Sequence, residues 1–189
     1  MRHVFWKFVA FLRSRKSLTI SDNGKGKEDF MTTTSPPNTA FDIANWFLVK
    51  AKKEGKKLKH MKLQKLVYFA YGWYFAYFDE QLFPEKIYAW PLGTVVEELY
   101  HEHKHNKDRP IISDIDAHDI DDENVNFILE GVWEAYSPYN DMYLSGITHR
   151  TNSPWCKYFF NYEKNTPIPP EEIRCYFKDL KIQYDAITG

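Results

Sequence analysis

The chain has 189 residues, 43% of them hydrophobic and 17% aromatic. That length and composition exclude a disordered polypeptide and allow a core that needs no disulfide or metal staple. The net charge of −1 excludes a uniformly basic nucleic-acid binder but hides a strong asymmetry. Residues 1–30 carry seven Lys/Arg against three Asp/Glu, and residues 50–65 carry eight lysines against Glu54. Residues 66–189 carry ten basic and twenty-one acidic side chains. Such polarity can orient a protein on a charged partner or form a solvated lysine face. Cys156 and Cys175 make no spaced framework, which indicates a reducing, cytoplasmic compartment.

Residues 1–30 differ in character from the rest of the chain. Val4-Phe5-Trp6 and Phe8 to Leu12 are apolar, interrupted by Lys7 and followed by Arg13, Arg15 and Lys16. The run is much shorter than the ~20 residues of a membrane span, and no small-residue cleavage site succeeds it. Two readings stand: a basic amphipathic helix that touches a membrane or a partner, or a segment upstream of a start at Met31.

Thr39 and Asp42 have the spacing of a helix cap, and Phe41, Ile43, Ala44, Phe47, Leu48 and Ala51 recur behind them at helical period. Gly55 ends this helix beyond a lysine-rich last turn. A second helix is expected from Met61 to Phe78. Leu63, Leu66, Val67, Ala70, Trp73, Tyr74 and Tyr77 form its apolar face, widened by Phe69 and Ala76, so it belongs in a core. Ile87 to Trp90 reads as a short strand, and Pro91-Leu92-Gly93 as a turn. Thr94 and Glu97 have capping-box spacing for a helix from Val95 to Lys104.

Residues 105–120 read as loop with a short strand at Ile111-Ile112. Asp121 caps a helix in which Val125, Ile128, Leu129, Val132, Trp133 and Tyr136 recur at helical spacing. Ser137-Pro138 stops it and starts a short helix reaching Ser145. Ser153-Pro154 starts another, and a connector with Pro167, Pro169 and Pro170 leads to a last helix carrying Ile173, Tyr176, Phe177 and Leu180. The expected fold is mainly α, a single compact domain of about seven helices with at most a minor β element. Residues 1–38 are an extension and linker, 39–183 the domain and 184–189 a tail.

Three segments invite a chemical reading. His101-Glu102-His103-Lys104-His105 matches H-E-x-x-H, in which two histidines hold zinc and the glutamate is a general base. Its polar surroundings favour a wet surface turn over a buried zinc hydrolase. His149 has no evident nucleophile partner in Ser145, Ser153 or Cys156, and a packed or capping histidine is the plainer reading. The lysine run 50–65 with Tyr68, Tyr71 and Trp73 suggests phosphate contacts and base stacking. Those aromatics, however, lie on the helix expected to be buried. There is no phosphate loop, dinucleotide-binding glycine pattern or CxxC pair.

Several stretches resemble the Panacea, or SocA-like, antitoxin domain, including that of phage-associated proteins. They are Lys62 to Ala70, Ala89-Trp90-Pro91-Leu92-Gly93-Thr94-Val95-Val96, Glu98-Leu99-Tyr100, Val132-Trp133 with Tyr136, Leu144-Ser145, Thr148-His149 and Pro154-Trp155. The similarity covers about residues 39–182. Leu92 stands where the family has an aromatic residue, Thr94 where it has proline, and Gly146 where an acidic residue is common. The resemblance implies a helical module without established enzymatic activity and without a cofactor. It implies a cognate toxin as protein partner, encoded beside it and neutralised by direct binding; one branch of the family delivers its toxin to a Clp protease. It implies no small-molecule substrate, and speaks against nucleic acid and membrane as partners. Trp90, Pro91, Gly93, Val95, Tyr100, Thr148, His149, Pro154 and Trp155 are its signature residues, for partner binding or for the fold. Trp90 and Trp155 also suit buried roles.

Overall fold

A computed structural model describes residues 38–116 and 118–188, together with Lys7, Phe8, Ala10, Phe11 and Ser14. Met31 and the stretch Val4 to Trp6 lie outside the described residues. Within residues 40–188 there are seven α-helices and three short strands. The order is α1 (Ala40–Lys53), α2 (His60–Phe78), β1 (Ile87–Trp90), β2 (Gly93–Val96), α3 (Glu97–His103), α4 (Glu123–Tyr136), α5 (Asp141–Thr148), α6 (Pro154–Asn161), β3 (Pro167–Ile168) and α7 (Pro170–Thr188).

The hub is α2, which packs against α1, α3, α4, α5, α7 and β2. Every residue from Leu63 to Ala76 is buried, as its lack of a polar face dictates. Its aromatics make specific ring contacts. Phe69 stacks on Tyr136 of α4 at 4.3 Å, and Trp73 meets Phe177 of α7 edge-on at 5.0 Å. The Trp73 indole N–H donates to the Tyr136 hydroxyl at 2.9 Å, so the polar handles of two buried rings satisfy each other. Gly72 lets α7 come close: a Cβ there would lie 2.2–2.5 Å from the Phe177 ring.

The helix ends obey local chemistry. Thr39 and Asp42 form a full capping box on α1, and Lys50, Lys52 and Lys53 occupy its last turn. Ser153 caps α6 with Pro154 in the first turn. Three expectations shift. The cap of α4 is Asp122, one residue after Asp121, because its carboxylate reaches both Asn124 N and Val125 N. The short helix after Ser137-Pro138 starts at Asp141 under an Asn140 cap and runs to Thr148. Ser137 instead uses its carbonyl to accept from the Lys62 ammonium at 2.6 Å.

The third shift matters most. Gly93–Val96 is a strand, and the helix begins only at Glu97. Thr94 makes no capping box. β2 pairs antiparallel with β1, with Ile87 opposite Val96 and Trp90 opposite Gly93. The Gln64 amide of α2 clamps Val96 from both sides, accepting from its N–H at 2.9 Å and donating to its carbonyl at 3.0 Å. These long-range bonds outweigh the local capping signal. β3 pairs with the other edge of β1, completing the antiparallel order β2-β1-β3. In the 105–120 segment, Ile111 N–H donates to Leu58 O, and Lys59 bridges Pro110; Ile111-Ile112 is not a strand.

Candidate functional site

The hairpin β1–β2 is held by three elements distant in sequence, and each hold uses a backbone carbonyl of the turn. The Trp155 indole N–H donates to Trp90 O at 2.7 Å, and the Ser145 hydroxyl donates to Leu92 O at 2.8 Å. The Lys65 ammonium donates to Thr94 O at 2.8 Å. Gly93 carries φ +107°, a conformation that favours glycine, and the space beside it is full. A Cβ there would stand 2.6 Å from Lys65 Nζ and 2.7 Å from Thr148 Oγ1.

Lys65 is only 1% exposed. Burial pushes its pKa down to about 7, since an ammonium loses its hydration there. No carboxylate among the described residues pairs with it. Next to it, Thr148 Oγ1 donates to Ser145 O and Ser153 Oγ to Thr148 O, tying the end of α5 to the start of α6. His149 then stacks on Trp155 with ring centres 3.7 Å apart. Burial, and then the neighbouring Lys65, lower the His149 pKa.

Five of the nine signature residues thus meet around one turn: Trp90, Gly93, Thr148, His149 and Trp155. Tyr100 of α3 packs edge-on against Trp90 at 4.7 Å. Val95 is a buried strand residue opposite Tyr88, Pro154 is buried at the start of α6, and Pro91 is exposed in the turn. Three buried polar atoms in this cluster, Trp90 Nε1, Thr94 Oγ1 and His149 Nε2, have no hydrogen-bond partner among the described residues. The cluster has an apolar rim. Leu92 at the turn is 56% exposed and Phe160 on α6 69% exposed, with Phe159 stacked on Trp155 between rim and centre.

Sequence reasoning misses Lys65 and the rim. Charge counting places the lysine in a solvated run, yet Tyr68 and Phe69 lie three and four residues on, and both are buried. A lysine one helical turn from two core aromatics shares their environment.

The other candidates do not assemble. His101 lies at the end of α3 beside Glu97, whereas His105 lies in a succeeding 3-10 turn against Asn106. The helix break separates the two histidines that H-E-x-x-H requires on one face, and Glu102 is exposed. No three His, Cys, Asp or Glu side chains among the described residues converge as metal ligands. In the lysine run, Lys50 pairs with Glu130, Lys52 with Asp116 and Lys56 with Glu54. Tyr68, Tyr71 and Trp73 are buried, so none offers a stacking platform. No helix among the described residues is long and apolar enough to cross a membrane.

Fold and site define a mainly helical module in which Lys65, Ser145 and Trp155 hold a β-hairpin. Residues 63–156 match the family described as antitoxin SocA-like, Panacea domain, and the chain belongs to that family. The match contains the whole hairpin, Lys65, α5 and the Trp155 end of α6. No curated protein and no solved structure matches the chain.

Proposed function

We propose that the protein is an antitoxin that neutralises a cognate protein toxin by direct binding, and that the toxin docks on the hairpin–α5–α6 face. The observation that carries this reading is the exposed rim of Leu92 and Phe160 beside a buried aromatic centre. Large apolar side chains left exposed around packed tryptophans have the make-up of an interface hot spot. Family membership supports the antitoxin role. Masking by contact, without turnover of the toxin, is the mechanism the face suits.

The test is co-expression with the product of each adjacent gene, scoring growth rescue and co-purification. Leu92→Glu and Phe160→Glu, both at exposed positions, leave folding intact and abolish rescue. A toxin whose cellular amount stays constant during rescue marks masking; a toxin that disappears marks delivery to a Clp-type protease. Rescue that survives both substitutions refutes this face as the docking site.

A further inference from the structure

A second surface emerges from the N-terminal residues. Phe8 is fully buried, although it lies far from the domain in sequence. Its ring stacks on Trp73 at 4.6 Å with planes 24° apart and lies 6.4 Å from Tyr136. One turn later Phe11 packs against Phe127, with ring centres 6.1 Å apart. Lys7 sits over the Tyr139 ring at 5.9 Å. The floor is Gly131, where a Cβ would come within 2.9 Å of Phe8 and 3.0 Å of Phe11. Phe127 and Gly131 are four residues apart on α4 and share a face. Helical residues 7, 8, 10, 11 and 14 therefore lie along a groove between α2 and α4.

We infer that this groove is a helix-docking surface, and that the N-terminal helix of this chain holds it in place of an amphipathic helix from a partner protein. The occupant's chemistry sets the partner's: two aromatic side chains three residues apart, with a cation one residue before the first. Two features support exchange. The groove residues Trp73, Phe127, Gly131 and Tyr136 all fall inside the family match, whereas the occupant falls outside it. In sequence the occupant also precedes the domain by residues 15–37, so it competes as a covalently tethered ligand. The inference does not rest on the antitoxin reading.

The test uses the full chain carrying Phe8→Asp and Phe11→Asp, titrated with a labelled synthetic peptide of residues 1–16. A folded variant binds the peptide one-to-one, while the unsubstituted chain binds it at least about tenfold more weakly because its groove is filled. Adding Gly131→Leu to the variant removes binding, as does using a peptide with both phenylalanines changed to alanine. Absence of peptide binding by the folded variant overturns the inference. Hydrogen exchange on the unsubstituted chain decides independently of whether the variant folds. The amides of residues 7–14 exchange faster than those of α2 and α4 if the helix undocks alone; equal protection makes it a permanent part of the core and overturns the inference. A dimer in which two copies trade these helices would identify a second copy as the occupant and overturn a partner helix.

Discussion

Replacing Lys65 by methionine removes a buried ammonium while keeping most of the side-chain volume. The shift of Lys65 from its ordinary 10.5 to about 7 corresponds to ~5 kcal/mol, at about 1.4 kcal/mol per pH unit. The sign comes from proton counting. Between about pH 7 and pH 10.5 the unfolded chain holds a proton on Lys65 that the folded chain has released, so stability rises with pH across that window. Below it both states are protonated and the full penalty stands; above it neither is and the penalty vanishes. Methionine carries no such penalty but loses the bond to Thr94 O, a cost of about 1 kcal/mol. The variant is therefore more stable than the unsubstituted chain by up to ~4 kcal/mol at pH 6 and no more stable at pH 10.5. Urea unfolding of both proteins at several pH values between 6 and 10.5 measures the difference directly. A stability difference that does not change with pH would refute the assignment of Lys65 as a buried, uncompensated lysine.

Other substitutions probe the packing that positions the hairpin. Gly93→Ala forces a Cβ against Lys65 Nζ and Thr148 Oγ1 at φ +107° and destabilises by ~2 kcal/mol or more, read from denaturant unfolding. Gly72→Ala drives a methyl group into the Phe177 ring and costs a similar ~1–3 kcal/mol as overpacking. Phe177→Ala alone leaves a cavity costing ~3–5 kcal/mol, and the double variant is less destabilised than the two single losses together, because the alanine methyl enters that space. Thr39→Ala removes the side-chain half of the α1 capping box and costs about 1 kcal/mol, visible as a lowered unfolding midpoint.

Much of the fold is legible in the sequence because it is written in local signals. The Thr39–Asp42 box, the unbroken apolar run of α2, the helical spacing of Val125 to Tyr136 and Ser153-Pro154 each act within a few residues. The misreadings arise where a distant partner decides. Thr94-Val95-Val96-Glu97 satisfies a capping rule, but pairing with β1 and the Gln64 clamp make it a strand. Pro167-Ile168 is too short and proline-rich to show alternation, and only its pairing with Ile87 and Tyr88 reveals it. Ser137 closes α4 as its helical C-cap, its N–H donating to Trp133 O, and Asn140 caps the next helix.

The candidate site is legible in its residues but not in its arrangement. Trp90, Gly93, Thr148, His149 and Trp155 stand out through family resemblance, whereas their convergence depends on Trp155, Ser145 and Lys65 donating to the carbonyls of Trp90, Leu92 and Thr94. Charge counting treats residues 50–65 as one basic face. The structure puts Lys50, Lys52 and Lys56 in ion pairs with Glu130, Asp116 and Glu54, Lys62 on a carbonyl and Lys65 in the core, and leaves Lys53, Lys57 and Lys59 exposed. The exposed part of the hairpin is apolar, which is why the proposed partner contact is built on Leu92 and Phe160 rather than on lysine.

The most direct measurement is affinity capture of each adjacent gene's product by the purified chain, run side by side with the Leu92→Glu/Phe160→Glu double variant. The account predicts a stoichiometric complex with one toxic product, lost with the double variant while its circular dichroism and unfolding midpoint stay unchanged. A complex of equal affinity with both proteins, or no complex with any toxic neighbour, would contradict it.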